Sequence, residues 1–186
     1  IGATHVEGVG VGSPEEISEA PITIRSLDPV GAMWGEPCST PFELVANTSH
    51  VRNGSAERML ALTLDLERQA ADHDHSCLLS AFERTVNAPG EIGNRYERLA
   101  ENIRFVVALG EDIGARGNVF QGTVDPTDAL CGERAIVVLT PQFSAALLAR
   151  MAGGDGRHRE YAFSLIYDRG QVTRAARMLM GYIDVD

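Results

Sequence analysis

The chain has 186 residues, with 44% apolar and 23% charged, enough for one domain with a buried core. Its formal net charge is −10, and all 16 basic residues are arginine. That balance disfavours direct binding to nucleic acid or to an anionic membrane surface, and no apolar run approaches the roughly 20 residues that cross a bilayer.

Residues 1 to about 20 are rich in Gly, Glu, Ser and Pro, and residues 1–37 read as a flexible acidic arm. Gly8, Gly10 and Gly12 give a GxGxG pattern. A phosphate cradle needs a strand before such a pattern and a helix after it, and neither is evident. Ile22 to Ile24 reads as a short edge strand, and Trp34 as an aromatic anchor within a Pro/Gly loop. The chain opens on Ile1 rather than methionine, which leaves room for a further segment ahead of it.

Residues 38–186 read as a single α/β domain. Ser39 or Thr40, with Pro41 next, predicts a helix start, and the helix is expected to run to about Arg52, with Gly54 ending it. Ser55 opens a longer amphipathic helix through Met59, Leu62, Leu66 and Ala70. The stretch from Cys77 to Leu109 organises the rest. An apolar run at Cys77–Phe82 is followed by a turn, a helix over about Gly90 to Ile103, and a second apolar run at Phe105–Leu109. Strand, helix and strand at this length make a βαβ unit with parallel strands, and the nearly continuous apolar runs suit strands covered on both faces.

Further strands are expected at Val119–Val124, Ala135–Leu139 and Tyr161–Tyr167. A helix opening at Pro141 is expected to carry Phe143, Ala146, Leu147, Leu148 and Met151, and to stop at Gly153-Gly154. A last helix covers Gln171 to about Ile183. The expected fold is therefore α/β, with a central mixed, partly parallel sheet of about five strands flanked by helices.

Open α/β sheets bind small molecules beyond the carboxyl ends of their strands. Glu83 and Arg84 follow the first central strand, Tyr96 lies in the crossover helix after Arg95, and Asp168 ends the last strand. Glu83, Arg84, Tyr96 and Asp168 form the candidate ligand-binding group, with His50 as a further polar candidate; the simpler reading is surface ion pairing. His73, His75 and Cys77 alternate, so an extended chain would point all three to one side, a weak candidate for a transition-metal site. The simpler reading there is a solvated loop leading to a buried cysteine. His50 beside Ser49 is not a catalytic pair, because neighbours on a helix do not face each other. There is no G-x-S-x-G elbow, and neither a catalytic residue nor a cofactor is assigned. Three dispersed cysteines without CxxC spacing suit a reduced, cytoplasmic protein.

Four places in this order of elements resemble the DICT sensory domain, a family found with diguanylate cyclases and two-component systems. They are Phe42–His50; the strand ending Ala81-Phe82-Glu83; Arg95–Ala100 leading to Val106-Val107; and Val137–Phe143 followed by the Phe163–Asp168 strand and the Val172 helix. Glu83 stands where the family often has glutamine. The resemblance spans about residues 38 to 183 and implies a non-enzymatic sensory or regulatory domain near transcriptional control. Its partner would be a small-molecule ligand or a regulatory protein. Alternatives are a small α/β enzyme acting on a metabolite, or a pure interaction domain. Acids in the arm and arginines on the last helix offer a basis for homodimer contacts or for docking a partner; the simpler reading is two solvated faces.

Overall fold

The computed structural model describes residues 40–73, 75–84, 89–111, 113–122, 124–154 and 158–183. The expected arm, with its GxGxG pattern, edge strand and Trp34, lies outside the described residues, as does Cys38. The fold is α/β: among the described residues seven strands form one mixed sheet, and three α-helices pack on it. None of the helices among the described residues is long and apolar enough to cross a membrane.

The strands are β1 (Arg52–Ser55), β2 (Cys77–Ala81), β3 (Phe105–Leu109), β4 (Val119–Gly122), β5 (Glu133–Leu139), β6 (Ser144–Gly153) and β7 (Glu160–Ile166). The helices are α1 (Ala56–Ala71), α2 (Pro89–Leu99) and α3 (Arg169–Met180). Across the sheet the order is β1-β7-β6-β5-β2-β3-β4. The predicted central unit is present: β2 and β3 run parallel, in register from Cys77 beside Phe105 to Ala81 beside Leu109, and α2 links them. β4 extends the parallel part beside β3, while β5, β6, β7 and β1 continue antiparallel from the other side of β2.

Alternation along the strands divides the core between the two faces. Leu78, Val106, Ile136, Val138, Leu147, Tyr161 and Phe163 meet α1 and α2 through Met59, Leu66, Ile92 and Tyr96. Leu79, Ala81, Val107, Leu109, Val137, Leu148 and Ile166 meet α3 through Val172, Ala175, Ala176 and Leu179. The strands of the βαβ unit are apolar on both sides because both sides are covered.

Two predicted helices are absent, and two additional strands take the count from about five to seven. The segment from Ser144 to Gly153 is β6, not a helix. Ala, Leu, Arg and Met are good helix formers, but a short apolar run cannot by itself distinguish a buried helix from a buried strand. Here the run is hydrogen-bonded on both edges, to β5 and to β7. Pro141 sits in the tight β5–β6 turn, closed by Thr140 N–H donating to Phe143 O (2.8 Å) and Phe143 N–H donating to Thr140 Oγ1 (2.8 Å).

The helix expected to start at Pro41 is only a 3-10 turn, Pro41–Leu44. Buried Glu133 holds its start, accepting from the Thr40 hydroxyl (2.6 Å), Phe42 N–H (3.0 Å) and Arg150 Nη2 (2.7 Å). Phe42 and Val45 dock on the α3 face, and the following Asn47-Thr48-Ser49 favour turns over helix. Gly54 lies within edge strand β1 rather than ending a helix; a Cβ there would meet the Phe163 ring at 2.9 Å. Ser55 does start α1, its Oγ accepting from Arg58 N–H at 3.4 Å.

Candidate ligand-binding crevice

The carboxyl ends of β2 and β3 lie side by side. Phe82 N–H donates to Leu109 O (3.0 Å), carrying the pairing one residue past β2. Glu83 then turns inward and is buried, while Arg84 points out. The Arg84 amide is fixed by the carbonyl of Cys131 at 3.0 Å. After β3, Gly110 and Glu111 follow the same course, and Arg84 Nε meets Glu111 Oε2 at 3.0 Å.

Beneath that ion pair is a crevice of about 250 Å³. Val124, Pro126 and Cys131 present most of its reachable apolar side-chain surface, over Ala81, Phe82, Leu109 and Leu130, which are buried. The short 3-10 turn Ala129–Gly132 presents Leu130 and Cys131, and Asp128 caps this turn by accepting from Leu130 N–H at 2.8 Å. Cys131 Sγ lies 3.2 Å from the carbonyl oxygen of Asp125. Burial pushes this thiol up; nearby Arg84 opposes that, and the carboxylates of Asp128, Glu111 and Asp125 add to it. The thiol therefore stays protonated at neutral pH and is a poor nucleophile.

Of the predicted residues, Arg84 lies at the crevice. Glu83 sits behind it on the α1/α2 face, where Arg134 grips it with Nε at 2.9 Å and Nη2 at 2.7 Å, and the Tyr161 hydroxyl donates at 2.7 Å. It borders a recess of about 10 Å³ beside the crevice. Tyr96 is fully buried under α1: its hydroxyl donates to Glu67 Oε1 (2.9 Å) and lies 2.6 Å from Ser80 Oγ. Burial above all, then the Glu67 charge, drives the Tyr96 phenol well above its usual range. Arg95 Nε reaches Glu67 Oε2 at 3.0 Å, but off the line of its N–H, so the contact is an ion pair without a well-aligned hydrogen bond.

Asp168 and His50 are elsewhere. β7 runs opposite to β2, so its carboxyl end lies at the end of the sheet away from the crevice. There Asp168 caps α3, accepting from Gln171 N–H at 2.9 Å. His50 is exposed in the turn leading to β1, at the sheet edge opposite β4. The alternation expected of His73, His75 and Cys77 is broken, because His75 has a left-handed backbone (φ 58°) and the chain there turns. His73 stacks on Phe143, and Cys77 pairs within β2. Among the described residues no group of three His, Cys, Asp or Glu side chains is arranged to hold a metal ion, and Cys77 and Cys131 are free.

Sequence reasoning missed Glu111, Leu130 and Cys131. Glu111 was within reach, since it follows β3 as Arg84 follows β2. Leu130 and Cys131 lie in a link whose Pro and Gly signalled only a turn. No protein-family model, curated protein or solved structure matches the chain.

Proposed function

We propose that this domain is a non-enzymatic sensory module, related to the DICT domains, that binds a small ligand at the carboxyl ends of β2 and β3 and relays its presence to a regulatory partner in the cytoplasm. The observation that supports this best is the crevice itself, an apolar recess under a charged rim where parallel strands end. The chemistry of its lining favours binding over catalysis: the thiol is held protonated, and Arg84 and Glu111 neutralise each other.

The relay has a covalent basis. Arg84 and Cys131 border the crevice, and Glu83 and Arg134 lie one and three residues from them. A shift of either wall is thus passed to the Glu83–Arg134–Tyr161 group on the opposite face of the sheet. Native mass spectrometry of the purified chain tests the reading. The expected result is a non-covalent small-molecule adduct that is lost when Cys131→Phe, at a half-buried lining position, fills the crevice. A variant that retains the adduct would place the ligand elsewhere.

A further inference from the structure

We propose that the crevice takes an apolar α-amino acid, its side chain against Val124, Pro126 and Cys131, its carboxylate on Arg84 and its ammonium group on Glu111. This rests on the crevice being the ligand site and goes further by naming the ligand's chemistry.

Size comes first. Pockets for drug-sized molecules span about 300 to 1,000 Å³. A crevice of about 250 Å³ falls below that range and suits a single small metabolite. The larger part of its surface is apolar, which favours an uncharged part of the ligand there.

The rim supplies both signs. Arg84 and Glu111 follow adjacent parallel strands, so their charged heads lie on the same side of the opening, 3.0 Å apart. Both side chains are about half exposed, at 49% and 54%. An ion pair this wet contributes little, so parting it costs little. A zwitterion gives each head an opposite charge as the heads separate. A simple carboxylic acid would take Arg84 and leave Glu111 unpaired, and a simple amine would do the reverse. The amino acid makes two charge contacts where either of these makes one, and the second contact is what discriminates. A dicarboxylate is disfavoured further, because Asp125 and Asp128 add negative charge beside Cys131.

The test is titration of the full chain, followed by amide NMR, with L-leucine, L-phenylalanine, 4-methylpentanoate, 3-methylbutylamine, glycine and 3-methylbutanol. Leucine or phenylalanine is expected to shift the amides of Leu109, Gly110 and Cys131, with the acid and the amine weaker by about two- to fivefold and glycine without effect. Arg84→Gln and Glu111→Gln, both at exposed positions, are each expected to weaken the amino acid about two- to fivefold and to erase its advantage over the matching amine or acid. If the acid or the amine binds as tightly as the amino acid, or if only the alcohol shifts these amides, the zwitterion proposal fails and the crevice remains a binding site. If no probe shifts them, the zwitterion proposal fails, and the native mass-spectrometry adduct decides separately whether the crevice holds a ligand of another class.

Discussion

Arg134 meets Glu83 through two parallel contacts, Nε to Oε2 at 2.9 Å and Nη2 to Oε1 at 2.7 Å, although the two residues are 51 positions apart in sequence. The fork geometry of a guanidinium matches a carboxylate in this way, and both side chains are largely out of water, at 12% and 2% exposed. The pair joins the start of β5 to the end of β2, immediately behind the crevice.

Removing one partner leaves a buried charge behind. Arg134→Met is therefore expected to cost about 3–5 kcal/mol of stability. The double variant Glu83→Leu/Arg134→Met deletes more hydrogen bonds, yet it should be the more stable of the two, because no charge is stranded; its remaining loss is the acceptor of the Tyr161 hydroxyl, about 1–3 kcal/mol. Urea unfolding midpoints at constant slope measure both. A double variant less stable than Arg134→Met would show that the pair stabilises by more than its own neutralisation.

Glu67 gives a pH dependence of defined sign. Burial raises its carboxyl above 4.5, and Arg95 and the Tyr96 hydroxyl only partly counter this. The unfolded carboxyl ionises first as pH rises past about 4.5. The folded protein resists ionisation until its own higher value is reached, so this group's contribution to stability declines across that window. Below it, Glu67→Gln and wild type should differ little in their response to pH. Across it, the variant should gain stability relative to wild type, and above it the difference should be constant. Tyr96→Phe removes a hydrogen bond that favours the ionised form, so it should steepen the wild-type decline. Unfolding midpoints measured from pH 4 to 8 check both, and a flat difference between Glu67→Gln and wild type would refute the sign.

The central unit was legible because β2 and β3 are apolar on both sides and a helix-length segment with Ile92, Tyr96 and Leu99 at helical spacing separates them. β6 was not, because Ala145 to Met151 has helix-forming composition and only its two neighbouring strands make it extended. β1 was hidden by its composition, Arg-Asn-Gly-Ser, which reads as a turn. The crevice was half legible. The rule that ligands gather at strand carboxyl ends located Arg84, but strand direction decides which ends gather, and the sequence does not carry the directions of β5, β6 and β7. Asp168 was grouped with Arg84 for that reason. Tyr96 was misplaced for another reason: period 3.6 puts it on the inner face of α2, where its hydroxyl serves Glu67 and Ser80 rather than a ligand.

Asp168 is expected to matter for stability and not for binding. Asp168→Ala removes the oxygen that accepts from Gln171 N–H and should cost about 0.5–2 kcal/mol, as loss of a helix N-cap does. Its effect on any ligand that shifts the Leu109 and Gly110 amides should be nil. A variant of unchanged stability with weakened binding would return Asp168 to the site.

Asp128 connects the crevice wall to the tail beyond α3. One carboxylate oxygen caps the turn that presents Leu130, and both lie within reach of the Tyr182 hydroxyl, at 3.1 and 3.0 Å. Burial first, and then the bond to Asp128 and its charge, push the Tyr182 phenol up to about 12. Asp128→Asn keeps an oxygen for the cap but removes the charge, so the phenol should fall part of the way towards its ordinary value of 10, with burial holding the rest. Gly122→Ala should go further. A Cβ on Gly122 would overlap the carbonyl of Tyr182, so the tail must move off β4 and lose both burial and Asp128. The phenol should then titrate near 10. Because the folded value is the higher one, the stability linked to Tyr182 is fully present below pH 10 and is lost as pH rises through about 12. Ultraviolet titration of the phenolate measures each shift. If Tyr182 in Gly122→Ala still titrates near 12, the close approach of β4 to the tail is not what holds it on Asp128.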